Sequence, residues 1–155
     1  MKGYTLLELV IVLAVIAAIT GGIMLSARSA DRIALQQASY ALQADFRFAQ
    51  RMALTEGRRW GIQFDILGNQ YHIFTPERIF NVETERYYRT VPLSGGVELV
   101  NTNATGGSVI YLPRGTIDRA FHVRLAKGRY EQRLTGTLGA GRIEIKEMEA
   151  FLDEY

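Results

Sequence analysis

Nineteen consecutive residues without a formal charge, Leu9 to Ala27, follow directly on a single carboxylate, Glu8. No other feature restricts the fold as much. The run is mostly Leu, Val, Ile and Ala. It is long enough for one helical crossing of a hydrocarbon core, which takes roughly 20 apolar residues at about 1.5 Å each. A carboxylate inside or at the edge of such a span is costly, by roughly 2.5 kcal/mol or more near the centre, so it requires a partner. A positively charged amine fits best.

Three readings of residues 1–27 compete. A secretory signal peptide accounts for Lys2 and the Ala-rich stretch, but it misplaces Glu8, and the apolar run continues past Ala17 and Ala18. A plain anchor accounts for the length and leaves Glu8 unexplained. Cleavage between Gly3 and Tyr4, ahead of the apolar run, creates an amine at Tyr4 one helical turn from Glu8. Four residues apart on one helix, the two charges share a face and can pair.

The string Gly3-Tyr4-Thr5-Leu6-Leu7-Glu8-Leu9-Val10-Ile11-Val12 resembles the type IV pilin and type II secretion pseudopilin superfamily. The resemblance implies that a prepilin peptidase cuts after Gly3 and N-methylates Tyr4. It also implies that the retained helix anchors the subunit in the inner membrane, with an extracytoplasmic head, before the subunit joins other pilins or pseudopilins in a periplasmic or cell-surface filament. Glu8 then meets a Tyr4 amine within its own chain or on a neighbour, and sets register. Tyr4 stands where Phe is usual, and the leader is only Met1-Lys2-Gly3. Positive-inside counting does not choose the orientation, because Arg28 and Arg32 flank the far end of the span.

Beyond Arg28 the pattern becomes amphipathic. Leu35, Ala38, Leu42, Phe46, Ala49 and Ala53 recur at helical spacing, and Gly57 suits the position just past a helix ending near Glu56. Gly21 and Gly22 interrupt the helix; they read either as a soft point that unwinds on assembly or as a close-packing site. The expected organisation is a leader at 1–3, a transmembrane or filament-core half-helix at 4–27, an amphipathic half-helix at 28–56 and a β-rich head at 57–155.

After Gly57 the period switches to two. Strands are expected at 60–66, 71–75, 86–91, 97–100 and 109–112, in a hairpin of 121–125 and 129–134 turning at Lys127-Gly128, and at 143–145. The fold class is therefore α+β: a long N-terminal helix packed on an antiparallel head, the lollipop shape of pilins. One long helix followed by antiparallel strands without cysteine is similar to the minor pseudopilin H (GspH/FimT-like) group, with a Gram-positive competence pseudopilin or another minor pilin as the alternatives. The acidic tail from Glu147 reads as a short helix or a mobile end.

No catalytic constellation stands out, and no cofactor is implied. His72 and His122 lie in separate expected strands without Cys, which favours satisfied sheet histidines over a metal site. There is no GxSxG, HExxH or phosphate loop, so an anchored enzyme is a remote alternative. Arg119, Arg124, Lys127, Arg129 and Arg133 form a basic stretch with Phe121 and Tyr130 interleaved. They read either as a DNA-backbone grip, which the FimT-like resemblance supports, or as a solvated hairpin surface partly neutralised by Asp118, Glu131 and Glu144. A net charge of +2 gives no broader case for nucleic acid.

Overall fold

The computed structural model describes residues 6–79, 82–139 and 141–149, and within them the side chains at 18–29, 78, 79, 82–84 and 149 fall outside the description. Helix α1 runs unbroken from Leu6 to Glu56 and ends as Gly57 enters the left-handed region at φ +63°. A residue with a Cβ is strained there, so Gly57 stops the helix and turns the chain into the first strand. Gly21 and Gly22 fall within α1 but among the undescribed side chains, and Gly3 and Tyr4 lie outside the described residues. Among the described residues no helix is long and apolar enough to cross a membrane; the side chains of residues 18–27 of the expected span are among those left undescribed.

Eight strands follow. They are β1 (Trp60–Asp65), β2 (Gln70–Ile79), β3 (Val82–Pro92), β4 (Glu98–Thr102), β5 (Ser108–Tyr111), β6 (Phe121–Lys127), β7 (Tyr130–Gly136) and β8 (Ile143–Glu149). They make two four-stranded sheets, β3-β2-β1-β5 and β4-β6-β7-β8, antiparallel throughout. Three elements clearly outrun the sequence reading: β2, its partner β3, which begins at Val82 and not Arg86, and β8. β2 continues past Pro76, because beyond Phe74 only β3 lies beside it and a proline is tolerated on such an open edge. β8 continues to Glu149, so the first residues of the acidic tail form a strand paired to β7 and not a helix.

The helical stripe read from the sequence closes the core. Leu35, Leu42, Phe46, Ala49 and Ala53 are fully buried, each at 1% exposure or less. They pack against Trp60, Ile62, Val109 and Tyr111 of the first sheet and Val123, Leu125 and Leu134 of the second. Phe46 sits where the two sheets meet, with its ring 6.2 Å from that of Phe64 and 5.1 Å from that of Phe121. Burial of each large apolar side chain in this stripe contributes about 1.5–3 kcal/mol.

Candidate functional site

The two halves of α1 present opposite surfaces. From Leu6 to Ile16 nine large apolar side chains are half or more exposed, from 52% at Val10 to 82% at Leu6. Glu8 lies in the first turn of that segment and is its only charged residue. A helix that is apolar all round needs lipid or other helices around it. From Leu35 onward the apolar stripe is already covered by the sheets.

Polar tethers lock the second half onto the head. At its N-terminal end Arg32 Nη2 donates to Glu147 Oε2 at 2.8 Å and Gln36 Nε2 to Glu147 Oε1 at 3.0 Å. The Arg32 guanidinium, with help from Gln36, holds the Glu147 carboxyl below its ordinary range. Midway, Gln43 Nε2 reaches the carbonyl of Ile143 at 2.9 Å and the Tyr71 hydroxyl donates to Asp45 at 2.7 Å. Arg89 also pairs with Asp45. Burial, reinforced by that hydrogen bond, pushes the Tyr71 hydroxyl well above its usual pKa. Further along, Gln50 Nε2 donates to the carbonyl of Gly115 at 2.7 Å.

The basic stretch of the sequence does not stay together. Register places Arg124 opposite Arg133, and Arg133 opposite Lys146 of β8. The adjoining residues Val123, Leu125 and Leu134 point into the core, so these three cations make one row across the outer face of the second sheet. Like charges facing each other across strands are destabilising; Arg124 is relieved by Glu131 at 3.2 Å, and no ion pair is shown for Arg133 or Lys146 among the described residues. Lys127 is drawn instead to Asp31 of α1 at 3.1 Å. Arg129 lies over the Tyr130 ring at 5.6 Å, at the turn end of the hairpin. Arg119 donates to Thr105 at 3.0 Å, beyond the other end of β6. The ends of that seven-residue strand are about 20 Å apart.

Lys146 was absent from the sequence reading, because its place in the row follows from pairing with β7 and not from its neighbours in the chain. His72 bonds Thr90 Oγ1 at 2.8 Å in the first sheet, whereas His122 sits in the second. Among the described residues no group of three or more His, Asp or Glu side chains is placed to hold a metal ion.

The family model for type II transport protein GspH matches residues 38–140. The minor pseudopilin EpsH from the type 2 secretion system of Vibrio cholerae is a similar solved structure, with 10% identity, a TM-score of 0.58, and 73% of this chain and 96% of that one covered. The type IV minor pilin FimU of Pseudomonas aeruginosa is another, with 17% identity, a TM-score of 0.59, and 77% and 96% covered. At these identities the likeness is one of fold: the long helix on antiparallel sheets is pilin-like. No curated protein sequence matches the chain.

Proposed function

The chain belongs to the GspH family of type II transport proteins, and on that premise we propose that it is a prepilin-like subunit, a minor one, of a type IV pilus or type II secretion pseudopilus filament. The observation that carries this reading is the apolar sleeve of α1 from Leu6 to Ile16 with Glu8 at its head, joined without a break to a half-helix already buried in the head. A surface of that kind is useful only to a chain that will be surrounded, first by lipid and then by the helices of other subunits.

In this reading prepilin peptidase cleaves between Gly3 and Tyr4 and methylates the Tyr4 amine. Residues 4–27 hold the subunit in the inner membrane and then line the filament core, while residues 28–155 stand outside, in the periplasm or at the cell surface. Glu8 lowers its own cost in lipid by meeting a Tyr4 amine, and between subunits the same pair fixes axial register. Gly21 and Gly22 give the helix a soft point for that passage. The work of the chain is assembly, and the chemistry is done to it by the peptidase. Mass spectrometry of the protein purified from its own cells tests this directly. A methylated Tyr4 terminus is expected, and an N-terminus at Met1 overturns the proposal. Glu8→Ala is expected to leave membrane insertion intact and abolish incorporation into filaments.

The Arg124–Arg133–Lys146 row favours a second reading, contact with the phosphate backbone of DNA without base readout. Full-length protein in nanodiscs, titrated with duplex DNA at rising salt, is the test. Affinity that falls with salt and is lost in Arg133→Gln supports the reading; no binding at low salt ends it.

A further inference from the structure

A long open groove of about 890 Å³ runs between the side of α1 and the outer edge of β8. One wall is helical and carries Arg47 and Arg51, which lie one turn apart; the other is the strand from Gly141 to Lys146, carrying Arg142 and Lys146. Glu144 is the only carboxylate residue lining it. Like charges at i and i+4 on a helix are destabilising. Arg47 donates to Gln43 Oε1 and Arg51 to the carbonyl of Arg47, and neither is shown in an ion pair among the described residues.

The strand wall is an edge. β8 has β7 on one side and no other described strand beside it. Its entrance is held in place by Gly141 at φ +63°, packed so tightly that a Cβ there would lie 2.5 Å from Gln50 Nε2 and 2.8 Å from the Gly115 carbonyl. Gln43 fastens the strand to the helix through the Ile143 carbonyl. The groove is therefore a fixed channel, floored by an edge strand of which the Ile143 carbonyl is already held by Gln43, and flanked by four cations.

We propose that this groove docks an extended acidic segment of a partner protein, which adds to β8 as a further strand and sets its carboxylates against Arg47, Arg51, Arg142 and Lys146. Strand addition to an open edge supplies main-chain hydrogen bonds, while the flanking side chains select sequence. Guanidinium groups are suited to carboxylates, which they bind in paired hydrogen bonds. From Gly141 to Lys146 the wall accepts about 20 Å of extended chain. Residues 150–155 of the chain itself include two carboxylates, Asp153 and Glu154, and are the competing occupant.

The test is fluorescence anisotropy on the full chain in nanodiscs, where no filament forms, so its result is independent of the assembly reading. The probes are a labelled short Glu-Val peptide of Glu-Glu-Val repeats, which sets carboxylates on both strand faces, the same peptide with Lys for Glu, an N-methylated Glu-Val peptide unable to pair through its backbone, and a single-stranded oligonucleotide of equal charge. The Glu-Val peptide is expected to bind, with Arg47→Ala/Arg51→Ala and N-methylation each weakening it about tenfold or more. Arg47 and Arg51 are exposed helix positions where Ala is a good helix former, and an unchanged melting temperature shows that the variant is folded. Equal binding of the Lys peptide, no loss on N-methylation, or an oligonucleotide that binds more tightly than the peptide would each overturn the proposal. So would tighter binding by a chain lacking residues 150–155, because its own tail would then be the occupant.

Discussion

One helix of 51 residues carries two kinds of surface. In the half beginning at Leu35, side chains such as Leu42 and Phe46 have no exposure at all; in the half beginning at Leu6, Leu13 is 58% exposed although it is just as apolar. Their apolar side chains are of the same kind, but what surrounds them differs. The second half lies on two sheets that the same chain supplies, and its stability is intramolecular. From Leu6 to Ile16 the apolar surface is open on all sides, so its cover must come from other molecules. A single unbroken helix thus joins a region that folds by itself to one completed only by assembly.

The sharpest way to break that contrast is to truncate one large side chain in each half. Phe46→Ala removes a ring wedged between both sheets and is expected to cost about 3–5 kcal/mol, read as a lower melting temperature. Leu13→Ala is expected to change the same melt by less than about 0.5 kcal/mol; equal losses would mean that the halves do not differ. Next comes the polar interior of the head-bound half. Asp45→Ala leaves the buried Tyr71 hydroxyl without its acceptor and Arg89 without its partner, and is expected to cost about 1–3 kcal/mol in denaturant melts.

A smaller effect of opposite sign is expected at Ser39, which interrupts the buried stripe. Its Oγ has no hydrogen-bond partner among the described residues, so Ser39→Ala is expected to leave the melt unchanged or raise it by up to about 1 kcal/mol. The gentlest perturbation is pH. The Glu147 carboxyl is held below its ordinary value of 4.5, so protonation is disfavoured in the folded state relative to the unfolded one. The Arg32–Glu147 tether therefore stabilises fully above that ordinary value and is lost as pH falls through the lower, folded one. Hydrogen exchange in β8 is expected to quicken over that acidic window and to lose its pH dependence in Glu147→Gln.

Local pattern made much of this legible. The apolar stripe from Leu35 to Ala53, the Gly57 stop and the β6–β7 hairpin all depend on residues near one another in the chain, where helical or strand periodicity acts directly. Features set by distant pairing were not legible. Arg124 and Arg133 meet because a hairpin folds them into register, but Lys146 joins them from another strand, and Lys127 leaves them for an aspartate on the helix 96 residues earlier. β2 runs four residues past the expected end at Thr75, because there it pairs with β3 and no third described strand competes for its backbone. The groove beside β8 had no sequence signal, because its cations come from two elements that only the tertiary fold brings together.

The placement of Phe46 between the two sheets has a mechanical consequence. A pull along α1 meets one ring keyed into both leaves of the head, so the force divides between them and acts parallel to the packed surfaces. Separation then requires many contacts to slide at once instead of opening one after another from an end. Such a joint resists tension far better than peeling.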